Sequence, residues 1–134
     1  MIVTTSEELP LTQSEDVVWV RQAVRARMVE LGFSLVDQTK MVTATSELAR
    51  NAVDHGGGGR ALIDTLTDGT RVGIRLQVTD GGPGIADLEL ALSDGYSSGG
   101  GLGLGLGGAR RLVNQFEIET TPGEGTMVRA TRWR

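Results

Sequence analysis

Apolar residues recur at three- and four-residue steps from Val17 through Val18, Val20, Ala23, Val24 and Met28 to Leu31. That recurrence predicts an amphipathic helix, capped at Ser14-Glu15-Asp16 and stopped at Gly32. Ser34 then reads as the cap of a second helix carrying Val36, Thr39, Val42, Thr45, Leu48, Ala49, Ala52 and Val53, which runs until the glycines at 56 end it. From Arg60 the period drops to two. Ala61 to Leu66 is strand-like, Asp68-Gly69 forms a turn, and Val72, Ile74, Leu76 and Val78 alternate with Arg71, Gly73, Arg75 and Gln77, so a hairpin with one buried face is expected. Residues 1 to 8 alternate weakly, as an edge strand does. Beyond Pro83 the pattern predicts a short helical stretch through Leu88, Leu90 and Leu92, a glycine loop, a helix from Ala109 to Gln115, and a last hairpin, Phe116–Thr120 with Thr126–Trp133, around Pro122-Gly123. The sum is a mixed sheet covered by helices, an α+β sandwich, with no repeat at a fixed period.

A length of 134 residues is one domain's worth, so residues 1–134 are expected to form a single domain. A hydrophobic share of 39% and a charged share of 22% are those of an ordinary globular chain and argue against disorder. The net charge of -4 supplies no field for holding a phosphate polymer, so no nucleic-acid partner is expected. Zero cysteines exclude disulfides and thiolate chemistry, and the single His55 excludes a multi-histidine metal cage. No apolar run approaches the ~18 residues a membrane span needs, and a cytoplasmic location with no membrane partner is expected.

Glycine changes this picture. Twenty are present, about twice the usual share, with four at Gly56 to Gly59, three in Gly81-Gly82-Pro83-Gly84, and seven in the ten residues Gly99 to Gly108. Within a single domain, such clusters suit loops that let backbone approach a ligand better than they suit linkers. The first cluster follows a polar stripe on the second helix. Glu47, Asn51 and Asp54 fall within about 60° of one another, with His55 about 40° further round. A solvated outer face looks the same, but an acid, an amide and an acid ending at a glycine loop also suit phosphate chemistry. The asparagine carbonyl is a hard oxygen for Mg²⁺, and the carboxylate one turn earlier can take a proton from an attacking hydroxyl. His55 alone reads as a helix-end or packing residue rather than a ligand.

Asp80 ends the best strand in the chain and precedes Gly81-Gly82-Pro83-Gly84. It is either a turn residue or an acceptor for an exocyclic amine, which adenine offers and guanine does not at that place. The third cluster, Gly99, Gly100, Gly101, Leu102, Gly103, Leu104 and Gly105 onward, precedes a helix and offers free amides to phosphate. It follows no strand, which weakens a dinucleotide fingerprint, and the only lysine, Lys40, is too far from any glycine cluster for a Walker loop.

The order of these clusters is specific: Glu47-x-x-x-Asn51, then Asp80-x-Gly82-x-Gly84, then Gly101-x-Gly103-x-Gly105, then Gly123-x-Gly125-Thr126. Over nearly its whole length the chain resembles the GHKL ATPase superfamily. Ser46-Glu47-Leu48-Ala49-Arg50-Asn51, Gly95-Tyr96-Ser97-Ser98-Gly99-Gly100 and Gly123-Glu124-Gly125-Thr126 look most like the RsbT-type switch serine/threonine kinases, with RsbW- and SpoIIAB-like anti-sigma factors as close relatives. The resemblance implies a two-layer α+β sandwich, its mostly antiparallel sheet covered by helices on one face. It implies ATP and Mg²⁺, with Asn51 as the metal ligand, Glu47 as the general base and Asp80 on the adenine amine. Gly82 and Gly84 would let the ring approach the backbone, Thr126 would support the adenine network, and Gly99 to Gly108 would cover the phosphates. His55 keeps a place that the anti-sigma relatives often fill with histidine, beside Asp54.

Two functions from different classes follow from the resemblance. One is a protein kinase that phosphorylates a serine or threonine of a STAS-domain antagonist in a bacterial partner-switching pathway. The other is a binding module that sequesters a sigma factor, or docks on a PP2C-type phosphatase, with ATP shaping the interface. Glu47 favours the kinase, because a pure binder needs no base.

Overall fold

The computed structural model describes residues 1–93 and 105–134. Strand β1 (Ile2–Leu11) leads into helices α1 (Ser14–Glu30) and α2 (Leu35–Asp54), and the hairpin β2 (Gly59–Thr67) and β3 (Val72–Asp80) follows. Short helices α3 (Leu88–Ala91) and α4 (Gly105–Arg111) precede the closing hairpin β4 (Gln115–Thr121) and β5 (Gly125–Trp133). The strands form one sheet in the order β1-β2-β3-β5-β4, with β1 at its edge as expected. The α+β class stands, and the sheet goes beyond the mixed, mostly antiparallel one expected: all four pairings are antiparallel.

Local chemistry explains the helix starts. Asp16 in the first turn of α1 accepts from the Thr12 and Gln13 amides at 2.9 and 3.2 Å, and the Thr12 amide holds its carboxyl below the usual range. The N-cap position is Gln13, one residue before the expected Ser14, because this carboxylate reaches back to fasten the preceding amides. Ser34 caps α2 as predicted, its hydroxyl accepting from the Asp37 amide at 3.1 Å.

Val20, Val24 and Met28 of α1 and Met41, Leu48 and Ala52 of α2 pack on Ile63, Ile74, Leu76, Val78, Val128 and Ala130 of the sheet. Thr45 and Ser46 share that buried stripe without cost in polar satisfaction, since their hydroxyls donate to the carbonyls of Met41 and Val42. The alternate residues of the strands carry polar pairs instead, with Arg75 on Asp64 at 2.8 Å and Arg129 on Gln77 at 2.9 Å. No helix among the described residues is long and apolar enough to cross a membrane.

The helix expected over Ala109–Gln115 is displaced. α4 instead begins at Gly105 and ends at Arg111, running through the last glycines of the run, while Gln115 is the first residue of β4. Packing overrides glycine's poor propensity here. Leu106 and Ala109 are buried in the core, and a side chain at Gly107 would bring a Cβ to 2.3 Å from the Leu92 carbonyl oxygen, so only glycine lets the helix lie this close.

Candidate functional site

A cavity of about 380 Å³ opens where the C-terminal half of α2 meets the ends of β3 and β5. That is the size of an ordinary small-molecule site. One wall is α2, with Glu47, Arg50, Asn51 and Asp54, continued by His55 and Gly56. Asp80 and Thr126 form the sheet side, and Pro83 to Asp87 with Leu90, Ala91, Gly105 and Leu106 close the rest.

Strand register brings the sheet residues together, because Asp80 is the direct partner of Thr126 across the β3–β5 ladder. Asp80 is buried, and one carboxylate oxygen, Oδ1, accepts from the Gly82 amide at 3.0 Å. Its orientation is enforced from below: a Cβ on Gly56 would lie 2.3 Å from the Asp80 Cγ, so the carboxylate rests on bare backbone at the end of α2. The buried Thr126 hydroxyl stands 2.9 Å from that of Thr120, which accepts from the Ile85 amide at 2.9 Å. Together with the Gly123 amide donating to the Pro83 carbonyl at 2.7 Å, this chain fastens the loop after β3 to the closing hairpin.

Glu47 is 7% exposed and Asn51 half-buried, while Asp54 and His55 at the end of α2 are exposed, so the stripe is withdrawn from solvent only at its start. Glu47, Asp54, Asp80 and Asp87 make the cavity wall acidic, and Arg50 is the only arginine or lysine among the described lining residues. No group of three or more His, Cys, Asp or Glu stands ready to hold a metal among the described residues. What this wall offers a hard cation such as Mg²⁺ is the amide oxygen of Asn51 and separate carboxylates, with no all-protein cage among the described residues.

Of the residues singled out from the sequence, Glu47, Asn51, Asp54, His55, Asp80, Gly84, Gly105 and Thr126 all line this one cavity. Gly82 stands beside it, its backbone packed on Gly56 so closely that a Cβ would meet the Gly56 Cα at 2.6 Å. Gly99, Gly100, Gly101, Leu102, Gly103 and Leu104 lie outside the described residues. Sequence reasoning passed over Arg50, Gly56, Asp87 and the apolar wall of Ile85, Leu90 and Leu106. Arg50 was within reach of the same helical arithmetic, at about 60° from Glu47 and about 40° from Asp54.

Residues 36–133 match the family model described as histidine kinase-, DNA gyrase B-, and HSP90-like ATPase. The chain is 42% identical over 118 residues to the serine/threonine-protein kinase RsbT of Bacillus subtilis (strain 168), covering 88% of this chain and 89% of that protein. It is 29% identical over 129 residues to the anti-sigma F factor of Thermoanaerobacter sp. (strain X514), covering 92% and 89%. Among solved structures, the RsbU and RsbW domains of a Mycobacterium tuberculosis protein superpose with a TM-score of 0.68 at 24% identity. That match takes in 98% of this chain and 33% of the other.

Proposed function

Because the chain belongs to the histidine kinase-, DNA gyrase B- and HSP90-like ATPase family, we propose that it transfers the γ-phosphoryl group of ATP to a serine or threonine of a partner protein. The observation that carries the reading is a buried carboxylate, Glu47, one helical turn before Asn51 in the same cavity as Asp80. A site for nucleotide-gated binding alone has no use for a proton acceptor at that place. The identity to a serine/threonine-protein kinase over most of both chains supports the same reading.

In this proposal the adenine amine donates to the carboxylate oxygen of Asp80 that Gly82 leaves available, with Thr126 beside it. Gly84 and Ile85 form the surface against which the ring lies. Asn51 would hold Mg²⁺, and the ion when bound would supply charge neutralisation and orientation of the phosphates. Asp54 and His55 complete the wall at the end of α2. Glu47 accepts the hydroxyl proton of the incoming serine or threonine. The acceptor in this proposal is a STAS-domain antagonist of a partner-switching pathway in the cytoplasm; similarity to a serine/threonine-protein kinase and to an anti-sigma F factor supports a role in kinase and sigma-factor control. A sigma factor or a PP2C-type phosphatase is the further partner of such a switch.

Single-turnover transfer from γ-labelled ATP to a purified STAS-domain partner tests this. Glu47→Ala should retain ATP and lose about 10²- to 10⁴-fold in rate at matched occupancy. Asn51→Ala should lose Mg²⁺-dependent nucleotide affinity as well. If the wild type transfers nothing to proteins that it binds in the presence of ATP, the sequestering module replaces the kinase.

A further inference from the structure

We infer that the Arg50 guanidinium binds the γ-phosphoryl oxygens of ATP and stabilises the charge on them during transfer, an assignment that rests on the ATP-dependent kinase reading above. Three observations converge on this side chain. It lines the cavity from α2, on the same wall as Glu47 and Asn51. Along the helix axis it sits about 4.5 Å beyond Glu47 and about 1.5 Å short of Asn51, between the proposed base and the proposed metal ligand.

Second, its guanidinium has no hydrogen bond or ion pair with any other described residue. Glu47 three residues back and Asp54 four residues on stand at spacings that pair readily on a helix, yet neither takes it. The other half-buried arginines are all engaged. Arg25 meets Gln38, Arg27 meets Glu7, Arg75 meets Asp64, Arg129 meets Gln77 and Arg132 meets Asp37. A half-buried guanidinium with five donors and no acceptor among the described residues is poised for a ligand anion.

Third, the cavity wall holds four carboxylates against this one arginine. A triphosphate entering such a wall meets repulsion that a divalent cation arriving with it offsets only in part. A planar fork beside the reacting phosphorus supplies the remaining positive charge, and its geometry matches two phosphoryl oxygens at once. In the transfer itself, the hydroxyl oxygen of the acceptor forms a bond to the γ-phosphorus while the bond from that phosphorus to the β,γ-bridging oxygen breaks. ADP leaves with the electron pair, and the hydroxyl proton passes to Glu47. Arg50 gains and loses no proton. Its N–H groups donate to the equatorial oxygens throughout.

The deciding comparison is ATP against ADP, because only ATP carries the group that Arg50 is assigned to hold. Calorimetric titration of the full chain with Mg-ATP and Mg-ADP should show ADP affinity within about twofold of wild type in Arg50→Gln and Arg50→Lys. ATP affinity should fall about tenfold in Arg50→Gln and less in Arg50→Lys, which keeps the charge without the fork. Single-turnover transfer in Arg50→Gln should fall a further ~10²-fold or more at matched occupancy. Equal losses for both nucleotides, or no loss for either, overturn the assignment. Should Arg50→Gln fail to fold, as judged by its melting transition, Arg50→Lys carries the same comparison. A wild type that prefers ATP through Arg50 but transfers nothing refutes the kinase and leaves the phosphate contact standing, so the two failures are distinguishable.

Discussion

Replacing Asp80 by asparagine should cost about 10- to 150-fold in affinity for adenine nucleotides while the fold stays intact. The size follows from how the carboxylate is held. Its Oδ1 already accepts from the Gly82 amide at 3.0 Å, and Oδ2 lies over the bare backbone of Gly56. An asparagine has one acceptor, and the Gly82 amide claims it, which turns the NH₂ group toward the adenine amine. One hydrogen bond to a charged acceptor is lost, a contribution of about 1.5–3 kcal/mol, which is the fold-change stated. Because the Gly82 contact survives, the melting temperature should change little. Calorimetry with ATP, ADP and AMP checks the reasoning, since the contact lies at the base and the factor should be the same for all three. Unchanged affinity, or a loss confined to ATP, would refute it, and so would a wild type that binds GTP as tightly as ATP.

Further outcomes concern the scaffold. Gly107→Ala should destabilise the chain by about 1–3 kcal/mol, visible as a lower melting temperature, because its Cβ would press on the Leu92 carbonyl and backbone yields little. Leu48→Ala, at 1% exposure in the core, should cost about 2–5 kcal/mol in urea unfolding. Stability should also fall in acid. The Arg132 guanidinium hydrogen-bonded to Asp37 lowers that carboxyl below its ordinary value, so the unfolded chain takes up the proton first. The contribution is present above about pH 4 and is lost as pH drops through the lowered value. Urea midpoints at pH 7 and pH 3 should therefore differ less in Asp37→Asn than in the wild type, and an unchanged difference would sink the assignment.

What could be read in advance was whatever neighbouring residues decide. Ser34 caps α2 through an amide three residues on, and Asp68 makes its turn by accepting from the Thr70 and Arg71 amides at 3.0 and 2.8 Å, so both were legible as local chemistry. The clustering of Glu47, Asn51 and Asp54 was equally visible, since helical geometry alone puts them on one side. The start of α4 was not. Three glycines in its first four residues argue for loop, and only the burial of Leu106 and Ala109 against partners distant in the chain reverses that. Pairing partners were hidden for a similar reason: β1 joins β2 across two intervening helices, and no short-range pattern encodes which strand it meets. Arg50 escaped notice because the stripe was read for oxygen ligands, and a cation among them reads at first as a solvent-facing partner for its neighbours.

If Asp80 and Thr126 hold the nucleotide base as proposed, their pairing makes strand alignment a condition for binding. A slip of one residue in β5 would turn Thr126 to the opposite face, and in the same movement drive Arg129 inward and Val128 outward, so the misaligned sheet has neither core nor pocket. A nascent chain interrupted before Gly125 already carries Glu47, Asn51 and Asp80, yet the hydroxyl network that ties Thr126 to Thr120 and Ile85 cannot form. Nucleotide bound there would act as a selective brace for the correctly assembled molecule. At a hundred times its dissociation constant it would add about 2.7 kcal/mol to the native register and nothing to the slipped ones.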